Sequence, residues 1–152
     1  MGDELAADLL SRFAPFDVTA AIVWLIENGY ALTSQRGTST FGAQWVYSAD
    51  RDVVVTVDRA QWMLDVSANV GEAPWQYDLL LVAHAGQPYA DVFPTVGARS
   101  LSDPLPDQLP EGVSWRDTLP VVLGWLERTD VRDVGAAVVA ARQQRLDRMW
   151  QR

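Results

Sequence analysis

Residues 52–70 read DVVVTVDRAQWMLDVSANV, and their spacing decides the fold. From Gln61 onward Trp62, Leu64, Val66, Ala68 and Val70 fall on one side of an extended chain and Gln61, Met63, Asp65, Ser67 and Asn69 on the other. A period of two is the pattern of a strand with one face in a core. The run Asp52 to Val57 is separated from it only by Asp58-Arg59-Ala60, a link that can join only antiparallel neighbours.

The same pattern extends in both directions. Upstream, Phe41 to Ser48 alternates Phe41, Ala43, Trp45 and Tyr47 with polar neighbours and meets the 52–57 run through Asp50-Arg51; Tyr30 to Gln35 precedes it across Arg36-Gly37. Downstream, Tyr77 to Ala85 places Tyr77, Leu79, Leu81 and Ala83 opposite Asp78, Leu80, Val82 and His84, and reads as a fifth strand. Tyr89 to Phe93 would add a short sixth through Gly86-Gln87-Pro88. The expectation is an antiparallel meander of five or six strands over residues 30–93.

Helices flank it. Leu5, Leu9, Leu10 and Phe13 recur at helical spacing, Pro15 interrupts, and Asp17 is placed to cap a second run from Val18 to Glu27 that is apolar almost all round and should be well buried. Residues 94–113 form a loop; the stretch Gly86 to Gly112 holds five of the eight prolines. Ser114 or Thr118 can cap a helix through Arg128, which tolerates Pro120 only in its first turn, and Asp130 with Asp133 marks a last helix from Val131 to Gln151. On it Arg142, Arg145, Arg148 and Arg152 share one face, where positive charge suits a helix carboxyl end. The fold class is thus α+β in a single domain, residues 1–152, with helices over 1–29 and 114–151 packed on the sheet.

Composition narrows function. The chain carries 20 acidic residues against 12 basic ones, all arginine, for a net charge of −8. Residues 1–111 hold 15 of the acidic residues and only 5 arginines. Such a surface repels phosphate backbones and attracts basic protein partners, so nucleic-acid binding is disfavoured. Apolar runs such as Val18 to Ile26 are too short for a bilayer span, and Met1-Gly2-Asp3-Glu4 lacks the positive start of a secretory signal. A cytoplasmic protein with no membrane association is expected. There is no cysteine, hence neither a disulfide nor a thiolate metal site.

Catalytic signatures are missing. The sequence has no Gly-x-Ser-x-Gly elbow, no phosphate-binding loop, no dinucleotide glycine motif and no His-Glu-x-x-His pair. His84, the sole histidine, could work with Asp65 or Asp78 across neighbouring strands, or be a structural residue. Asp50, Asp52 and Asp58 at the turns lack the spacing of a calcium loop and read as solvated turn residues. No metal, cofactor or catalytic residue is therefore assigned. The seven tryptophans are the positive signal: Trp45 and Trp62 belong with the core, Trp24 and Trp125 with helix packing, while Trp75, Trp115 and Trp150 sit where exposure is expected. Trp75 and Trp115, with Asp50, Asp52, Asp58 and Asp65, form the expected partner-binding set.

A small, acidic, cysteine-free α+β chain with a Trp-rich meander (Trp45, Trp62, Trp75), turn aspartates (Asp50, Asp52, Asp58) and a late helix carrying Leu119-Pro120 to Trp125-Leu126 resembles the immunity proteins of bacterial toxin systems. The resemblance implies a cytoplasmic, non-enzymatic protein that binds a basic toxin domain and neutralises it. Two alternatives stay open: a dedicated chaperone for a secreted bacterial protein, and a small hydrolase or ligand-binding domain using His84.

Overall fold

The computed structural model of the chain describes residues 2–39, 42–94 and 108–150. Phe41, most of the proline-rich loop (95–107), Gln151, Arg152 and the side chain of Leu5 lie outside them. Four strands, β1 (Ala31–Ser39), β2 (Gly42–Ser48), β3 (Asp52–Asp58) and β4 (Gln61–Val66), form an antiparallel meander, and the short β5 (Trp75–Gln76) adds to the far edge of β4. The register aligns three apolar rows on one face: Tyr47, Val53 and Val66; Trp45, Val55 and Leu64; Ala43, Val57 and Trp62. All nine are buried. Trp45 and Trp62 reach over β3 and stack at 5.6 Å between ring centroids, and the Trp45 Nε1–H donates to Gln35 Oε1 across β1 at 3.1 Å.

Several boundaries differ from the sequence-based expectation. β1 runs through Arg36-Gly37 to Ser39 instead of turning there, with irregularities between Leu32 and Ser34 and between Gly37 and Ser39. β4 ends at Val66; opposite the start of β3, Ser67 still donates its backbone N–H to the Asp52 carbonyl at 3.0 Å, but the Asp52 N–H is taken by Ser67 Oγ at 2.9 Å. Val70, expected inward, is exposed.

The larger correction is that Tyr77–Ala85 is a helix, α3, and Tyr89–Val92 a single turn, α4. Alternation misleads here because Tyr77, Asp78, Leu79, Leu80 and Val82 are all buried; a continuous apolar run fits a buried helix as well as a strand. The stop signal is Gly86, left-handed at φ 64°, whose N–H bonds the Val82 carbonyl, followed two residues on by Pro88. The fifth strand is thus Trp75–Gln76, not 77–85, and no sixth is found among the described residues.

Around the sheet lie α1 (Gly2–Phe13), α2 (Phe16–Glu27), α5 (Trp115–Arg128) and α6 (Val131–Trp150). α1 and α2 meet at a bend of 115° over Ala14-Pro15. α2 buries Val18, Ala21, Ile22 and Leu25 but leaves Phe16, Val23 and Ile26 exposed, so it is not buried all round as expected. No single helix among the described residues is long and apolar enough to cross a membrane.

Asp17 does not cap its own helix. Its carboxylate accepts from the backbone N–H groups of Trp115 (2.9 Å) and Arg116 (3.2 Å), joining α2 to the amino end of α5, while Ser114 Oγ accepts from the Asp117 N–H at 3.0 Å. Two side chains therefore satisfy three of the free donors of that helix end. Pro120 lies inside α5, past its first turn, contrary to expectation.

Two arginines of α6, Arg145 and Arg148, turn inward rather than merely offsetting a dipole, while Arg142 is exposed. Arg145 meets the fully buried Asp78 of α3 at 2.8 Å and donates to Gln76 Oε1 at 2.6 Å, and Tyr89 Oη donates to the same Asp78 oxygen at 3.0 Å. Arg148 donates to the carbonyls of Phe93 and Pro94. These bonds tie α3, α4 and β5 to α6. Arg145→Leu, which strands a buried carboxylate, should cost about 3–5 kcal/mol in urea denaturation, and Asp78→Leu/Arg145→Leu should recover much of that loss. A double variant as unstable as the single one would contradict the ion-pair account.

Candidate functional site

Two depressions sit at opposite ends of β3. At the end where β3 begins, the β2–β3 turn, the 67–74 loop and the α5–α6 link enclose a cavity of about 450 Å³ whose wall includes Arg51, Asn69, Trp75, Thr129 and Arg132. At the other end, the α1–α2 corner and the β3–β4 turn enclose a cleft of about 370 Å³ lined by Leu9, Phe13, Pro15, Val57, Ala60 and Trp62. Every side chain in the second set is apolar. Beside it Phe13 is 64% exposed and Phe16 is 89% exposed.

The six residues expected to bind a partner do not form one surface. Trp115 is a correction: it is buried, held inward because Asp17 fixes the start of α5. Trp75 is half-buried in the wall of the larger cavity, and Asp50 is exposed on the turn beside it. Asp58 lies at the other end of β3, next to Arg59 at 3.5 Å. Trp150, also expected to be exposed, is 85% exposed.

Asp52 and Asp65 are engaged within the chain. Asp52 is buried; its Oδ1 accepts from Ser48 Oγ at 2.5 Å and its Oδ2 from the Gly71 N–H at 2.9 Å, so it holds the 67–74 loop. Asp65 Oδ1 accepts from Gln108 Nε2 at 2.9 Å, while Gln108 Oε1 accepts from the Leu64 N–H at 2.6 Å on the edge of β4 that β5 does not reach. Gln108 thereby stands in for a missing strand partner. Burial pushes the Asp65 carboxyl up to about 6, against hydrogen bonds from Gln108 and the Tyr77 backbone that lower it, with the Asp78 charge adding to the rise.

His84 is not paired with Asp65 or Asp78 across strands, because its segment is α3. Its ring instead meets Trp125 edge-on at 5.6 Å, and Asp78 belongs to Arg145. Among the described residues no group of three or more His, Cys, Asp or Glu side chains is placed to hold a metal ion. Comparison of the chain with protein-family models, with curated proteins and with solved structures finds no match.

Sequence reasoning passed over three residues that the structure brings forward. Phe13 recurs at helical spacing with Leu9 and Leu10, yet it is strongly exposed at the bend before Pro15. Arg51 was counted as a turn residue and is buried. Ala60 follows Arg59 in a two-residue hairpin in which both hold positive φ, 48° and 67°; that conformation is native to Asn-Gly and strained for other residues.

Asp65 generates a pH dependence. Its folded value lies above the usual 3.8, so the folded form holds this proton more tightly than the unfolded chain does. The resulting stabilisation is complete below about pH 4 and is lost as pH rises through about 6. Urea denaturation from pH 4 to 7 should show the parent losing on the order of 2 kcal/mol relative to Asp65→Asn. Parallel profiles for the two proteins would show that Asp65 is not the group responsible.

Proposed function

We propose that the chain is a non-enzymatic protein-binding domain, of the kind represented by immunity proteins, that acts in the cytoplasm by binding and neutralising a basic bacterial toxin domain. One observation carries this reading: an apolar cleft lined by the strongly exposed Phe13 and by Pro15, with the exposed Phe16 next in sequence, on a chain of net charge −8. Leaving one large apolar side chain in water forgoes about 1.5–3 kcal/mol of burial, and contiguous exposed apolar surface rimmed by polar groups marks interaction sites. Asp8 and Asp58, the chain neighbours of Leu9 and Val57 in the lining, are each beside an arginine of their own segment.

Ala60 supports the same surface. A left-handed alanine costs about 1–2 kcal/mol that glycine would not incur, and the methyl group responsible for that cost lines the cleft. Ala60→Gly should therefore stabilise the fold by about 0.5–1 kcal/mol while weakening the partner. A variant that is less stable than the parent in thermal melts would remove strain from the argument.

The partner has to be complementary: basic around an apolar side chain that fills the cleft. Charge of opposite sign accelerates association and makes it fall with salt. A pull-down from the native host, repeated with Phe13→Ser/Phe16→Ser, tests the reading. The double variant should keep the parent's fold and lose roughly 100-fold or more in affinity for the captured protein, as two interface anchors would. Equal capture by the double variant, or an association rate indifferent to salt, would refute this surface. The apolar lining also favours a second reading, a dedicated chaperone for a secreted protein; a folded toxin domain whose activity is blocked identifies the first, and an incompletely folded client the second.

A further inference from the structure

The larger cavity, at the opposite end of β3 from the apolar cleft, contains a charge that no described residue meets within ion-pair distance. Arg51 is only 9% exposed and lines this cavity, yet its guanidinium makes no hydrogen bond or ion pair among the described residues. Buried arginines are ordinarily paired, because desolvating a charge without a partner is costly. The Tyr30 phenol nearby is raised chiefly by burial, lowered by the Arg51 charge and raised by those of Asp50 and Glu127.

α6, twenty residues long, begins at Val131, and residues 129–132 and Val134 line the cavity. The positive end of that helix is already met by Asp130, whose Oδ1 accepts from the Arg132 N–H at 2.8 Å and lies 3.6 Å from Arg132 Nε, so Arg51 is the cation of this wall without an ion-pair partner among the described residues. Trp75 supplies a flat wall, and Leu126 and Val131 supply apolar surface.

We propose that this cavity is a binding site for a small organic carboxylate with a planar apolar body, the carboxylate engaging Arg51 at two points and the body lying against Trp75. A guanidinium matches a carboxylate in a two-pronged contact, and a volume of about 450 Å³ falls within the size range of small-ligand pockets. Glu127 and Asp130 on the same wall select against a doubly charged phosphate and for a monoanion. The proposal does not rest on the protein-binding reading of the other cleft.

Phenylacetate, its neutral counterpart phenylacetamide, and inorganic phosphate are the probes, each titrated into the isotopically labelled full chain while the Trp75 indole and Arg51 Nε–H resonances are followed. Phenylacetate should shift both saturably, with the amide and phosphate about tenfold weaker or more. Arg51→Gln should weaken phenylacetate by a similar factor, and Glu127→Gln should tighten it a few-fold, roughly the effect of removing one like charge nearby. Equal binding of acid and amide to the parent protein would overturn the proposal even if Arg51→Gln fails to fold; so would the absence of a saturable shift, or unchanged affinity in a folded Arg51→Gln. A peptide ending in Gly-Gly-Phe with a free carboxylate separates the sources: tighter binding than phenylacetate assigns the carboxylate to a chain terminus, and weaker binding assigns it to a free acid, with Arg51 required in both.

Discussion

The register of β2, β3 and β4 is the constraint on which the rest depends. Three rows of apolar side chains face one way, and a one-residue slip of any of these strands would turn its own three outward. The Trp45–Trp62 stack across β3 fixes that alignment with rings too large to be accommodated in another register. Because β3 is central, its two ends define where the sheet can host anything else: the turn carrying Arg51 at one end and the turn carrying Arg59-Ala60 at the other. Both depressions grow from those turns.

Polar bonds then lock the helices onto this frame from a distance in sequence. Asp17 on α2 caps α5, Arg145 on α6 holds Asp78 on α3, and Gln108 finishes the open edge of β4. Each such bond removes a group from the pool available to a partner. Asp52, Asp65 and Trp115, attractive as interface residues by type, are structural in place. What these bonds leave is an apolar cleft at one end of β3 and, at the other, a cavity that holds Arg51, within a chain that is acidic as a whole.

How much was legible follows from locality. The meander from Tyr30 to Val66 and the helices at both ends are written in periods of two and near 3.6, and the α+β class follows from them. Tyr77–Ala85 was misread because a run buried on every side carries no period; Gly86 and Pro88 were the local signal of a helix end. The inward turn of Trp115 depends on Asp17, 98 residues earlier, and the burial of Arg51 depends on the 67–74 loop and the α5–α6 link closing over it. No window of sequence contains those pairings. The arginine spacing on α6 was visible, but its meaning required α3 to be a helix presenting Asp78. Phe13 and Phe16 were hidden for the opposite reason, since exposed phenylalanine looks like core phenylalanine until the bend at Pro15 is seen.

The central claim is that the α1–α2 corner and the β3–β4 turn together receive a protein partner. Hydrogen exchange of the chain, free and in complex with the partner recovered from its host, tests this most directly. The account predicts new protection concentrated in residues 9–19 and 57–62, with the β2–β3 turn and the start of α6 unchanged. Protection at residues 50–52, 67–75 and 129–134, with the phenylalanine corner exchanging as in the free chain, would contradict it.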